Sequence, residues 1–202
     1  MMNLRWSATS PYVRKVMMVA IERGVADSIT SQPTDPWSAD TDLSQGNPLC
    51  KVPALTLEDG TTLFDSRVIV EYLDSLGAGP SVFPAAGPER WAALRLQAIG
   101  DGICDAAMLR RLENARPEGE KSAAWMERQR VAVVRSLDLL EREAGALGDG
   151  ATIGTLAILT ALGYLDFRFA HEPWREGRPA LTAWFARMAD RDSFRRSAPP
   201  VG

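Results

Sequence analysis

The strongest local constraint in this chain is the stretch Asn47–Ser66, NPLCKVPALTLEDGTTLFDS. Two short apolar runs, Ala54–Leu57 and Thr61–Phe64, flank Glu58-Asp59-Gly60. An Asp-Gly pair between two such runs lets the backbone reverse tightly, so the pattern predicts a β-hairpin. Pro53 stands at the start of the first run, a place in a strand that proline tolerates. Asp65-Ser66 then opens RVIVEYLDSL, whose apolar spacing is helical, and Ser is a preferred N-cap. A proline corner, a hairpin and a helix start would together form a small polar cradle, because free N–H groups at a helix terminus attract anions.

The hairpin completes an α/β unit. Met2–Trp6 alternates as a strand does. In the segment after Ser10-Pro11, Val13, Val16, Met17, Ala20 and Ile21 recur at helical spacing. Ser10 as cap, Pro11 at the first helical position and Gly24 past the end fit the usual asymmetry of helix termini. Asp27–Ser31 is read as a second strand, and Gln32–Gln45 as a loop or short irregular helix. Gly77–Pro88 (GAGPSVFPAAGP) holds three glycines and three prolines and reads as a linker. Beyond it the patterns are helical: Glu89–Asn114, Lys121–Ala146, Thr152–Phe169 and Pro179–Asp190, with RRSAPPVG as a loose tail. Thr152–Phe169 is apolar on nearly every side, which places it in the middle of a bundle.

Composition narrows the function. The net charge of −3 gives no basis for nucleic-acid binding. No apolar run reaches the roughly 18–20 residues of a membrane span, and the N-terminus has no signal-peptide core, so a cytoplasmic protein is expected. Cys50 and Cys104 form no CxxC, and His171 is the single histidine, so no metal site is expected. His171 is read as a surface or cap residue, and Cys104 as a buried helix cysteine.

Four segments carry a resemblance. Ser10-Pro11-Tyr12-Val13-Arg14-Lys15-Val16 resembles the SPFxRKV segment of bacterial and plant serine-type glutathione S-transferases. Asn47–Leu55 resembles their NPxGKVPxL segment, and Asp65-Ser66 their acidic-Ser pair. Thr152-Ile153-Gly154, with Leu162–Asp166 after it, resembles their second-domain core helix. The likeness spans essentially the whole chain. It implies a thioredoxin-like domain over 1–77, a linker over 78–88 and an all-helical bundle over 89–202.

The resemblance also implies a chemistry. A glutathione thiol with a pKa near ~8.5 is only a few per cent thiolate at neutral pH. Lowering that pKa by about two units corresponds to roughly 2.7 kcal/mol of preference for the anion. A hydroxyl aimed at sulfur beside a positive helix end can supply it. Ser10 is the implied donor, with Thr9 and Ser7 as alternatives in the same loop. Lys51, Val52, Pro53, Asp65 and Ser66 are the implied glutathione-binding positions, with Val52-Pro53 as a cis-proline corner. Trp6, Tyr12, Met108, Arg111 and Tyr164 are candidates for the electrophile pocket between the domains. The implied function is attack of the thiolate on a small hydrophobic electrophile, in a homodimer with no metal. The alternatives are a non-catalytic binding module of the same fold, and a glutathione-dependent peroxidase or isomerase.

The chain departs from the family pattern at two positions. Cys50 stands where glycine is usual. Thr155 replaces a common Asp in the core-helix capping box, which predicts a weaker reciprocal bond. Ser10 occupies the position that is Cys in thiol-exchanging relatives, which argues against that chemistry.

Overall fold

The computed structural model describes residues 1–200, so the last two positions of the expected helical domain and tail, 201 and 202, lie outside the described residues. The first unit is a four-stranded sheet in the order β2-β1-β3-β4. Its strands are β1 (Met2–Trp6), β2 (Ile29–Pro33), β3 (Ala54–Thr56) and β4 (Thr62–Leu63). β1 pairs parallel with β2 and antiparallel with β3, and β3 pairs antiparallel with β4. The parallel pair requires a crossover, which α1 (Pro11–Glu22) supplies. α2 (Leu43–Gly46) lies in the polar connection, and α3 (Ser66–Leu76) follows the hairpin. The helices α4 (Gly87–Asn114), α5 (Ala123–Glu143), α6 (Ile153–Arg168), α7 (Pro179–Ala189) and α8 (Asp192–Arg196) make up the rest. This is the α/β-then-all-α architecture expected, with a thioredoxin-like sheet and a bundle centred on α6.

The hairpin forms because Asp59 and Gly60 serve the turn separately. Asp59 Oδ1 accepts from the Thr61 N–H at 2.8 Å, and Gly60 adopts φ +87°, which costs glycine little. β2 starts two residues later than expected, because Ala26–Ser28 form a short 3₁₀ turn. α4 begins at Gly87, inside the expected linker. The remaining linker is anchored rather than loose: Asp74 accepts from the Val82 N–H (2.8 Å) and the Ser81 hydroxyl (2.6 Å). Arg23, itself buried, holds Asp74 from the other side, and Val82 O accepts from the first N–H of α6 at 2.7 Å.

α6 is buried along most of its length. The Thr152–Thr155 capping box closes in both directions. Thr155 N donates to Thr152 Oγ1 (3.1 Å), and Thr152 N to Thr155 Oγ1 (2.9 Å). Thr155 also donates to Gly150 O at 2.7 Å, a bond that an ionised Asp at this position would be unable to make.

α1 is covered on both faces. The expected stripe of Val13, Val16 and Ala20 is buried, but so are Arg14, Lys15, Met18 and Val19, while Met17 and Ile21 are only half-buried. The second cover comes from the helical bundle and from α8, which takes in Arg195 and Arg196, the first two residues of the tail expected to be loose. Arg14 stacks on the Phe194 ring, 3.8 Å from its centroid, and donates to Phe194 O at 3.0 Å. Burial lowers the Arg14 pKa to about 10. Glu22 accepts from Arg191 (2.9 Å) and from the Ser193 hydroxyl (2.6 Å).

α4 and α6 cross at two glycines. A Cβ on Gly100 would lie 2.5 Å from the Ala157 carbonyl carbon, and one on Gly154 would lie 2.6 Å from Ala93 O. Helix propensity alone favours Gly100→Ala by about 1 kcal/mol. The clash with backbone reverses that sign, so urea unfolding of Gly100→Ala is expected to show a net loss of about 1–3 kcal/mol.

Candidate functional site

Strand register brings three separate segments to one edge of the sheet. Arg5 of β1 pairs with Ala54 of β3, so the next step sets Trp6 beside Pro53. Leu55 pairs with Leu63 of β4, so the same row continues toward Asp65. The Ser7–Ser10 loop, the Lys51–Pro53 corner and the start of α3 therefore meet there. The implied donor and the implied glutathione-binding positions share this edge.

Ser10 caps α1. Its Oγ accepts from the Val13 N–H at 3.3 Å, and its own N–H donates to Ser7 O at 3.1 Å. The loop is half-buried, so the hydroxyls of Ser7, Thr9 and Ser10 all remain near solvent. Tyr12 is not available for the same task. Its hydroxyl donates to Asp105 of α4, and burial, followed by that bond, raises its pKa far above the ordinary phenol value.

The Val52–Pro53 peptide is cis. Asn47, which the sequence reading left without a role, shapes the loop before it. Asn47 is 1% exposed; its Nδ2 donates to Lys51 O (2.8 Å) and its Oδ1 accepts from Leu49 N–H (3.0 Å). Buried amides of this kind substitute for backbone pairing where the chain turns. Cys50 adopts φ +50°, the left-handed region that suits the glycine usual at this position. A Cβ there costs on the order of 1 kcal/mol. Cys50 Sγ lies 3.9 Å from Pro36 O, toward the α2 connection. The Lys51 ammonium is exposed and has no carboxylate partner among the described residues.

The cap of α3 is Asp65, one residue earlier than the Ser66 cap expected: its Oδ1 accepts from Arg67 N–H at 2.8 Å. Ser66 thus becomes the first helical residue. It is buried, at the positive end of the helix.

Behind this edge lies a cluster that the sequence reading did not identify. Asp101 of α4 accepts from Lys15 Nζ of α1 at 2.5 Å and from Arg67 Nε of α3 at 2.8 Å. Lys15 is 1% exposed and Asp101 5%. The Asp101 hydrogen bond raises the pKa of Arg67, which remains a cation beside Ser66. Asp105, one turn further along α4, holds Tyr12.

The remaining candidates divide. Met108 and Tyr164 meet, with the Tyr164 hydroxyl 3.9 Å from Met108 Sδ, and Arg111 stands on the next turn of α4. Trp6 and Ser7 border a cavity of about 150 Å³ with Ser10, Arg14 and Ser197. Cys104 is buried, and desolvation pushes its thiol pKa up. His171 is exposed, 3.6 Å from Glu172. Among the described residues no group of three or more His, Cys, Asp or Glu is placed to hold a metal ion, and no helix is long and apolar enough to cross a membrane.

Removing one partner from a buried ion pair strands the other charge, at about 3–5 kcal/mol. Asp101→Asn is therefore expected to lose about that much in denaturant unfolding. The apolar pair Lys15→Met/Asp101→Leu is expected to recover most of the loss, since well-packed apolar replacements of buried pairs are often neutral.

Known proteins share this fold. Residues 9–76 match the family description "Glutathione S-transferase, N-terminal domain", and residues 123–187 match "Glutathione S-transferase, C-terminal domain". The uncharacterized GST-like protein YibF of Escherichia coli is 37% identical, with 98% of this chain and 99% of that protein covered. A stringent starvation protein A homolog of Pasteurella multocida is 27% identical, covering 97% of this chain and 89% of that protein. A crystal structure of a glutathione transferase family member from Pseudomonas fluorescens with bound glutathione superposes with a TM-score of 0.95 at 40% identity, over 100% of both chains. A structure from the same organism holds S-(propanoic acid)-glutathione and superposes with a TM-score of 0.91 at 38% identity, over 99% of this chain and 100% of that one. With both family models matched and a relative 37% identical over nearly its whole length, the chain belongs to the glutathione S-transferase family.

Proposed function

We propose that this protein binds glutathione at the shared sheet edge and transfers its thiolate to a small electrophile with an apolar body. The observation that carries this reading is the convergence of the Ser10 cap, the Val52–Pro53 corner and the buried Ser66 on one edge. The glutathione bound to the Pseudomonas fluorescens relative supports it.

In this reading the Val52 peptide groups pair with the backbone of the tripeptide. Lys51 meets one glutathione carboxylate. Ser66 and the α3 terminus take the γ-glutamyl carboxylate, and Asp65 receives the amine. The thiol lies at Ser10. A hydroxyl has one hydrogen and two lone pairs, so Ser10 Oγ can accept from Val13 N–H and still donate to sulfur. The thiol proton goes to solvent as the thiolate forms. Sulfur then bonds to the electrophilic carbon. Either a leaving group departs with its electron pair, or the carbanion formed takes a proton from water. Tyr12, Met108 and Tyr164 form the wall that the electrophile meets.

A second reading, a glutathione-binding module without catalysis, draws on Cys50 at a left-handed position of the corner loop and on a Ser7–Ser10 loop that offers three hydroxyls rather than one dedicated donor. A cytoplasmic homodimer belongs to the first reading. α3 and the start of α4, joined by the Arg90–Glu71 pair at 3.2 Å, expose Val68 and Trp91, apolar groups that a second copy would cover. Sedimentation is expected to give twice the chain mass, and a monomer at all concentrations would remove the dimer from the reading.

Glutathione titration by calorimetry at two pH values separates the two functional readings. Wild type is expected to bind with proton release near neutral pH. In Ser10→Ala binding persists, proton release shrinks, and turnover at pH 7 drops by about 10–100-fold as the thiol pKa climbs back by one to two units. The sign follows from the thiolate being the favoured form: activity lost at pH 7 is regained as pH rises toward the free-thiol value. Binding with no turnover across a panel of electrophiles would leave the module reading. Unchanged proton release in the variant would shift the donor role to Thr9 or Ser7.

A further inference from the structure

The C-terminal ends of α4 and α6 and the start of α5 border a half-enclosed cavity of about 480 Å³. Four arginines line it: Arg110, Arg111, Arg130 and Arg168. Two are neutralised in place. Arg110 forms a two-pronged pair with Glu172, and Arg130 one with Glu127 through two 2.7 Å bonds. Arg111 and Arg168 have no carboxylate partner among the described residues. Arg168 Nε is buried and has no acceptor among the described residues. Its guanidinium stacks on Phe167, 4.1 Å from the ring centroid, which fixes its plane without neutralising it. Two uncompensated guanidiniums in a half-enclosed space, one with a buried unsatisfied donor, are an arrangement that an anion would complete.

Position connects this cavity to the proposed thiol site. Arg111 lies one turn beyond Met108 on α4 and Arg168 one turn beyond Tyr164 on α6, and the Tyr164 hydroxyl touches Met108. Met108 is one turn of α4 beyond Asp105, the partner of Tyr12, and Tyr12 is two residues from Ser10. Six residues of helix separate Asp105 from Arg111, about 9 Å of rise. Met108 supplies an apolar step between the partner of Tyr12 and Arg111 along that helix.

Building on the transferase reading above, we propose that the electrophile carries a carboxylate, which Arg111 and Arg168 hold while its reactive carbon lies at the Ser10 end. A planar guanidinium fork matches the two oxygens of a carboxylate, and the flat stack of Arg168 on Phe167 presents such a fork. Uncharged electrophiles of the same shape would leave both cations unpaired.

Matched conjugates test this without knowledge of the natural substrate. S-(ω-carboxyalkyl)glutathiones of increasing chain length are titrated against the S-alkyl glutathiones of equal length, on wild type, Arg111→Gln and Arg168→Gln. At one chain length the acid is expected to bind wild type about tenfold more tightly than its neutral counterpart, as one charge-assisted bond predicts. Each variant is expected to lose that preference while its affinity for the S-alkyl series stays within about twofold. Arg111 is exposed, so its variant keeps the fold, and unfolding curves verify this for both. If wild type binds both series equally, or prefers an S-phosphonoalkyl conjugate, the carboxylate site is refuted and the transferase reading stands. If neither glutathione nor any conjugate binds, the transferase reading falls and the carboxylate site falls with it.

Discussion

The buried contact among Lys15, Asp101 and Arg67 governs how the two halves of this molecule meet. Taking an ammonium and a carboxylate out of water costs several kcal/mol each, and only close pairing offsets it. Lys15 and Asp101 therefore tolerate little displacement from one another. One sits in the first turns of α1 and the other midway along α4, so the middle of helix α4 is fixed against the sheet domain. Arg67 extends the same contact to the start of α3. The wall carrying Asp105, Met108 and Arg111 is thereby held in register with the edge carrying Ser10, Pro53 and Ser66. A purely apolar interface of similar area would permit sliding, whereas a charge pair of this kind selects one alignment.

Much of this was legible in the chain and some of it was not, for physical reasons. The hairpin could be read because Asp59 and Gly60 act locally. α6 could be read because an apolar surface on every side has only one stable location. Lys15 could not. Periodicity assigns charged residues to the solvent face, and nothing near position 15 signals a carboxylate 86 residues away. Arg14 escaped for the same reason: its cover, Phe194, lies 180 residues further on. α8 escaped too: its last two residues, Arg195 and Arg196, open the segment read as a loose tail, yet Arg191 at its cap and Ser193 within it both bond Glu22. At the site, the cis-proline corner and the Asp65-Ser66 pair were legible only through family likeness. The role of Asn47 is a backbone matter, and no side-chain pattern announces it.

In the proposed reading, Ser10 satisfies two requirements that look exclusive. As a cap it must accept from the helix, and as a thiol partner it must donate. The hydroxyl separates these functions between lone pair and hydrogen, while a carboxylate cap would hold only the first. The same economy appears at α3. There Asp65 takes over the capping task, so the Ser66 side chain and backbone remain for a ligand. Cys50 is the exception to this local consistency: its left-handed backbone suits glycine, and nothing in the structure explains the side chain.

The docking of α8 on α1 has a consequence for how the protein is made. Synthesis runs from the N-terminus, and domains generally fold as they emerge. Here the first helix waits for almost the last residues translated. Until Phe194 and Arg191 leave the ribosome, Arg14 lacks its aromatic cover and Glu22 its partner. The sheet unit on its own would present that uncovered flank of α1 to solvent and to chaperones. A nascent chain halted short of α8 therefore carries a signal of incompleteness on α1, directly after the Ser10 loop.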